Sequence, residues 1–197
     1  MKFVKSLFLF QMIQCVAMNM GTAESSKMRF LDFDHAKGAL EFIAIGRPKA
    51  IKIHGKGESP KGKLKILTPS KVEGDLLFSL DSLDTGITLR NEHMKKKYLE
   101  IDKFPVAKLT EIVRLLSKDD KGSHENVPFQ GQLTLHGITQ TIHGLSTLKN
   151  YRDKINLEVT FALKLSSFGI SIPTFAGITV ADEVQVLLST EVQMISQ

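Results

Sequence analysis

The chain has 197 residues, of which 42% are hydrophobic and 24% are charged. These values are ordinary for a folded globular protein and exclude a wholly disordered chain. The net charge is +5, and its densest cluster is the three-residue run Lys95-Lys96-Lys97. Because no aromatic residues are interleaved with this run, we expect no nucleic-acid partner.

The N-terminal residues have the three-part layout of a secretory signal peptide. Lys2 and Lys5 form a basic start, residues 6–20 are uncharged and mostly apolar, and Gly21-Thr22-Ala23 supplies small residues for cleavage. The apolar run is shorter than the roughly 20 residues that a membrane-spanning helix needs. We therefore predict a signal peptide over residues 1–23 and a periplasmic or secreted protein.

The rest of the chain, residues 28–195, is predicted to form one domain that is soluble after signal removal, because no second long apolar run follows. Cleavage would also remove Cys15, the one cysteine of the chain. The exported form would then have no disulfide, no thiolate metal ligand and no catalytic cysteine.

From residue 28 onward the apolar residues recur mainly with a period of two, which is typical of strands with one buried and one exposed face. In chain order the predicted strands are Leu40–Ile45, Ala50–Gly55, Lys63–Leu67, Val72–Asp81, Leu109–Leu115, Phe129–Gly137, Thr141–Leu148, Lys154–Leu165 and Val184–Leu188.

The strand at residues 154–165 has the clearest alternation, with Ile155, Leu157, Val159 and Phe161 on one face and polar residues on the other. Many short strands separated by Gly, Pro, Asp and Ser turns predict an all-β domain. This pattern alone leaves a β-sandwich and an antiparallel β-barrel equally open.

One segment, Thr88–Glu100, departs from the strand pattern and predicts a short helix. Thr88 is a candidate cap, and the pairs Leu89–His93 and Met94–Tyr98 lie one helical turn apart, so we expect them to pack against the sheet.

Two motifs resemble those of enzymes but lack the required context. Residues 57–63 fit the pattern G-x-x-x-x-G-K, yet Leu64 follows in place of Ser or Thr, and the next segment alternates like a strand. Asp84-Thr85-Gly86 matches the tripeptide of dimeric aspartic proteases, but a charged helical segment follows almost at once. We interpret both as turns, and we predict no catalytic residue and no cofactor.

The six histidines show no spacing that is typical of a metal site. His136 and His143 flank a predicted turn, and strand pairing would bring them near each other, but no third ligand is placed to join them. We predict no metal site.

Three stretches together resemble the YceI-like family of lipocalin-like, polyisoprenoid-binding proteins. The first is residues 71–109, with Leu83-Asp84-Thr85-Gly86, Arg90-Asn91-Glu92-His93-Met94 and Phe104-Pro105. The second is Gly131 to Thr139 (GQLTLHGIT), and the third combines Ser167-Phe168-Gly169-Ile170 with Ala181-Asp182-Glu183-Val184.

The resemblance implies a lipocalin-like, eight-stranded antiparallel β-barrel with one short helix and an elongated cavity for an isoprenoid or similar long-chain lipid. On this basis we expect a carrier rather than an enzyme, binding an apolar ligand such as an isoprenoid, a quinone-type lipid or a fatty acid. The predicted wall residues are Phe78, Leu80, Leu133, Leu135, Leu157, Val159 and Phe161, and the predicted head-group partners are Arg90 and His93.

Two other classes of function stay open from the sequence. The first is a structural or interaction protein of the cell envelope, built as a β-sandwich without a ligand. The second is a hydrolase in which Asp84-Thr85-Gly86 is catalytic. The sequence is also compatible with either a monomer or a homodimer.

Overall fold

The computed structural model describes residues 28–47, 51–114, 124–151, 154–175 and 177–196. The predicted signal peptide, residues 1–23, lies outside the described residues, as does Ala50, the first residue of a predicted strand. Within the described part of the chain, no helix has the length and apolar character needed to cross a membrane.

The described residues contain eleven β-strands and one short helical segment between β5 and β6. The strands are β1 (Arg29–Arg47), β2 (Ile51–Glu58), β3 (Lys63–Thr68), β4 (Lys71–Glu73), β5 (Leu76–Ser79), β6 (Val106–Arg114), β7 (His124–Leu135), β8 (Ile138–Tyr151), β9 (Lys154–Lys164), β10 (Thr174–Phe175) and β11 (Ile178–Ser196).

The sheet closes on itself as an antiparallel barrel. Strands β6, β7, β8, β9, β11 and β1 follow one another round the ring, and β1 pairs with β11 along most of its length. At one end β3 and β4 complete the ring between β1 and β6. At the other end β2 pairs with β1 and β5 pairs with β6. Two isolated bridges close the ring between them: Lys56 of β2 pairs with Asp84 after β5, and Lys61 after β2 pairs with Leu77 of β5.

β2 and β3 together occupy one position in the ring, and β4 and β5 together occupy another, so the ring has eight strands. The short strand β10 lies outside it. A closed ring has no free sheet edges, whereas a sandwich is made of two separate sheets. The barrel prediction is therefore confirmed, and the β-sandwich alternative is wrong.

The period-two pattern correctly indicates which side chains point inward. Along β9, Ile155 is buried and the alternate residues up to Leu163 are partly buried, while the residues between them are exposed. Along β11, Val184, Val186, Leu188, Thr190 and Val192 are buried in the same alternation.

The predicted strand Val72–Asp81 is interrupted in the structure. Gly74 has a φ of +137°, and a Cβ at this position would lie 2.3 Å from the carbonyl oxygen of Lys63. Only glycine fits this backbone conformation and close approach. The chain therefore bends between β4 and β5, which pair with different parts of β6.

The predicted helix over Thr88–Glu100 is present, and it begins at Thr88 and ends at Tyr98. Helix α1 (Thr88–Glu92) continues as a π-helical stretch, His93–Tyr98. The expected Thr88 cap is wrong, because Ile87 occupies the N-cap position and no side chain caps the helix. Tyr98 is buried as expected, but Leu89 is 51% exposed and does not pack on the barrel.

The barrel interior is solid at one end. Phe33 and Val192 have no exposed surface, and Leu64, Phe129 and Ile155 pack in the same apolar cluster. These residues come from β1, β11, β3, β7 and β9 at the end of the barrel opposite the helix. This cluster provides close-packed apolar burial for a barrel that has no disulfide.

Candidate functional site: an apolar cavity beside the helix

The other end of the barrel is hollow. A cavity of about 260 Å³ lies between the helix and the inner faces of β1, β2, β5, β6, β7, β9 and β11. This volume is close to the lower end of the roughly 300–1,000 Å³ range of small-molecule sites. Exposed lining residues such as Ile51, Glu58 and His93 mark where the cavity opens to the surface.

Hydrocarbon side chains form nearly all of the cavity wall. The polar side chains lie along one side, at the ends of β2 and β5, in the loop that follows β5, and on the helix: Glu58, Ser79, Ser82, Thr85, Arg90 and His93. A wall of this kind favours an apolar chain inside, while a polar group can be accommodated only at the helix side of the rim.

The structure brings seven of the nine predicted ligand-binding residues to this cavity. Phe78, Leu80, Leu133, Leu135 and Phe161 contribute to the wall, and Arg90 and His93 lie on the polar side. Their contact with a ligand stays a prediction.

The other two residues, Leu157 and Val159, lie on the same strand as Phe161 but do not line the cavity. They pack against the apolar clusters of the barrel interior. Period two identifies the inward face of β9, but it does not identify the point along the strand where the solid core gives way to the cavity.

Several wall residues were not among the predicted ones. Strands β1, β2 and β11 supply much of the wall, including Phe42, Ala44, Ile51, Ile53, Val180, Val184 and Val186. The alternation of residues 184–188 was a usable signal, because it marks Val184 and Val186 as inward. β1 and β2 are consecutive strands that pair with each other, but the pairing of β1 with β11 is non-local and leaves no sequence pattern.

The Asp84-Thr85-Gly86 segment is a turn fixed to the helix. Asp84 Oδ1 accepts hydrogen bonds from Gly86 N (2.8 Å) and Asn91 Nδ2 (2.5 Å), and these bonds lower the pKa of the Asp84 carboxyl below its ordinary value. Asn91 Oδ1 in turn accepts from Thr85 N (2.8 Å) and Thr85 Oγ1 (2.6 Å). Arg90 donates to Thr85 Oγ1 (2.8 Å) and to Thr85 O (2.7 Å). This network positions Arg90 at the rim.

A second set of contacts closes the far end of the helix. His136 and Gly137 form a two-residue hairpin turn with φ values of 52° and 76°, as a type I′ turn requires. His136 Nε2 lies 3.0 Å from Glu100 Oε2, and Nδ1 lies 3.2 Å from the carbonyl oxygen of Phe168. His136 thus joins the loop after the helix to the 3₁₀ turn Leu165–Phe168.

His143 takes no part in this cluster. It is exposed on β8, where it is paired with Gln130 on β7. The expected proximity of His136 and His143 is therefore wrong, because the turn is only two residues long and leaves His143 well along the next strand. Among the described residues, no group of three or more His, Cys, Asp or Glu side chains is arranged to hold a metal ion.

Two further contacts fix the segment that follows β9. Asp182 accepts hydrogen bonds from Ser166 N (2.8 Å) and Ser166 Oγ (2.6 Å), and both lower the pKa of the Asp182 carboxyl. Tyr98 Oη accepts from Thr174 N (3.0 Å) and donates to Thr174 O (3.2 Å). Both contacts hold the cavity-lining residues of this segment against β11 and the helix.

The segment that fits G-x-x-x-x-G-K connects β2 to β3. Gly62 N donates to Asp34 Oδ1 (2.9 Å), and Phe33 N donates to Gly62 O (2.9 Å). Strand β3 begins at Lys63, so the segment precedes a strand and not the helix that a phosphate-binding loop requires.

Comparison with solved structures finds the same fold in several proteins. A polyisoprenoid-binding domain from Saccharophagus degradans, implicated in plant cell wall breakdown, has a TM-score of 0.60 at 16% identity, covering 84% of this chain and 97% of that one. BcnA from Burkholderia cenocepacia has a TM-score of 0.62 at 17% identity, covering 77% and 95%. The YCEI protein of Campylobacter jejuni has a TM-score of 0.54 at 17% identity, covering 74% and 85%.

At these identities the likeness concerns the fold, and no curated protein sequence matches the chain. The family model described as the YceI-like domain, however, matches residues 25–192. This range takes in the whole ring of strands from β1 to the greater part of β11, together with the cavity and the helix beside it. The chain belongs to the YceI-like family.

Proposed function

We propose that this protein is an exported carrier that holds a long apolar ligand in the cavity at the helix end of the barrel. The observation that carries the proposal is the contrast between the two ends of the barrel. At one end Phe33 and Val192 are fully buried and line no part of the cavity, whereas the other end has an open hydrocarbon-lined cavity with its polar groups on one side.

The chemistry of the wall indicates the class of ligand. An isoprenoid, a quinone-type lipid or a fatty acid would be held by burial of its chain, which contributes about 0.8 kcal/mol for each CH₂ group. A polar head group would lie at the rim, where Arg90, held by Thr85, and His93 provide donors. The polyisoprenoid-binding domain with the same fold supports this class of ligand.

Export is supported by the layout of residues 1–23, which has a basic start, an apolar stretch and small residues before the predicted cleavage site. We infer a periplasmic or secreted carrier, without an enzymatic activity. The carboxyl of Asp84 accepts hydrogen bonds from Gly86 and Asn91, which supports a structural role for the Asp84-Thr85-Gly86 motif.

The first test is native mass spectrometry of the protein purified from its own host, with organic extraction and identification of any released molecule. We expect one lipid per protein. A protein that stays at its bare mass, even after incubation with long-chain isoprenoids and fatty acids, would contradict the carrier and favour a partner-binding protein of the envelope.

A matched pair of variants on β9 tests whether the cavity is the binding site. Phe161 lines the cavity and Leu157 does not, although both are partly buried on the inner face of the same strand. We expect Phe161→Ala to weaken binding of the extracted lipid about tenfold, because loss of a large wall contact is worth about 1.4 kcal/mol or more. Leu157→Ala should bind within about twofold of the parent. Equal weakening in both variants would place the ligand elsewhere.

A further inference from the structure

The segment that forms the helix beside the cavity also carries exposed side chains. The rim face, as we call this set, consists of Ile87 at the N-cap position and of Leu89, Lys96 and Lys97 on the helix, all of which are exposed. It follows the edge of the cavity, because Thr85, Arg90 and His93 along the same segment are lining residues.

The first part of the rim face is apolar. Ile87 and Leu89 are 50% and 51% exposed. Single exposed apolar residues are common on soluble proteins and require no explanation. Here, however, two of them lie two residues apart, between the lining residues Thr85 and Arg90, and Ile51, which is also exposed, belongs to the lining itself.

The second part of the rim face is basic. Lys96 and Lys97 form no ion pair with a described carboxylate, whereas Lys95 beside them is paired with Asp81 (3.2 Å) and fastens the helix to the loop after β5. The Lys97 ammonium lies 5.3 Å from the ring centroid of Tyr98, which lines the cavity. Residues 88–98 carry four basic side chains and one acidic side chain, Glu92.

Exposed apolar side chains close in the chain to lysines that form no ion pair with a described carboxylate are typical of a surface that binds an anionic bilayer. The apolar residues enter the interfacial region of the lipids, and the lysines are attracted to the anionic head groups. We propose that the rim face docks on a bilayer containing anionic phospholipid and that it brings the mouth of the cavity to the membrane.

This inference rests on the proposed carrier function, because it describes how the ligand enters and leaves. A long apolar chain that moved through water between membrane and cavity would expose its methylenes to solvent, which is unfavourable in proportion to the area exposed. With the rim face on the bilayer, the chain would pass from one apolar environment directly into another.

The experiment measures flotation of the protein, in the form delivered by a host that expresses the full chain, with two kinds of vesicle. One kind contains phosphatidylcholine alone, and the other contains phosphatidylcholine and phosphatidylglycerol. We expect binding to the anionic vesicles and little binding to the neutral ones. The variant Lys96→Gln/Lys97→Gln should bind the anionic vesicles about 25-fold more weakly, a loss of about fivefold for each lysine.

The second variant, Ile87→Gln/Leu89→Gln, should weaken binding to the anionic vesicles by a similar factor, about fivefold for each half-exposed side chain that no longer enters the interface. The matched control is Lys65→Gln/Lys71→Gln, which makes the same change in charge on β3 and β4 at the solid end of the barrel. This control should bind as the parent does, apart from the small effect of total charge.

The proposal is overturned if the parent does not float with anionic vesicles, or if the control loses as much binding as the rim-face variants. A parent that stays unbound to vesicles but co-purifies with a stoichiometric lipid would refute the docking and leave the carrier function intact. A parent that binds vesicles through the rim face but never retains a lipid would refute the carrier and leave the docking intact.

Discussion

The two ends of the barrel can be compared by one substitution made at two positions of the same strand. Val186 and Val192 both point inward from β11, with 8% and 0% of their surfaces exposed. Val186 lines the cavity, whereas Val192 lies in the solid core. The perturbation is replacement of each valine by phenylalanine, which adds four carbon atoms to the barrel interior.

The structure sets different expectations for the two variants. At Val192 no space is available, and overpacking of a close-packed core costs about 1–3 kcal/mol. At Val186 the added carbons need roughly 120 Å³, if each takes about the 30 Å³ of a water molecule, and the cavity offers about 260 Å³. The new ring would lie beside Phe42 and Phe161, the cross-strand partners of Val186.

The assay is urea unfolding of lipid-free protein, followed by titration with the lipid identified by extraction. We expect Val192→Phe to be less stable than Val186→Phe by about 2 kcal/mol, which corresponds to about 4–8 °C in Tm for a domain of this size. Val186→Phe should lose ligand affinity at least tenfold, and Val192→Phe should keep it. Equal destabilisation by the two variants would refute the presence of a usable void beside Val186.

Two contacts around the cavity give further predictions. Tyr98→Phe leaves the Thr174 amide without its hydrogen-bond acceptor, so it should cost about 1–2 kcal/mol in unfolding and speed amide exchange at Thr174; unchanged exchange would contradict the contact. Asp182→Asn should be less stable than the parent at neutral pH, because hydrogen bonds from Ser166 lower the pKa of Asp182 in the folded state. That difference should be complete above the ordinary carboxyl pKa of 3.8 and disappear as the pH falls through the lowered pKa; a pH-independent difference in Tm would show that the carboxylate charge is not involved.

The sequence predicted the type of fold because the information about strand faces is local. The alternation along β9 and β11 relates residues that are close in the chain, so it can be identified from a single sequence. The interruption of the predicted strand at Gly74 was harder to foresee. A glycine within a strand pattern is compatible with a regular strand or a bend, and the choice depends on the carbonyl of Lys63, which approaches from another strand.

The sequence does not indicate how far along the barrel axis each inward-pointing side chain lies. Val159 and Phe161 share a strand, a face and a similar degree of burial, yet only Phe161 reaches the cavity. Their difference arises from what lies opposite them across the barrel, which depends on the register of every strand in the ring. The contacts of His136 could not be predicted from the sequence either, because its partners Glu100 and Phe168 lie 36 and 32 residues away in the chain.

The division of the barrel into a solid and a hollow end has an energetic basis. The side chains that line a cavity lack the packing contacts that they would make in a filled core, so a hollow barrel is less stable than a solid one of the same size. A chain with one cysteine cannot recover this loss through an internal disulfide. The fully buried Phe33 and Val192, together with the hydrogen bonds that fasten the helix and the Leu165–Phe168 turn, supply the stability that lets the other end stay open. In the proposed carrier, the solid core and these hydrogen bonds would therefore keep the wall from collapsing into the space that the ligand requires.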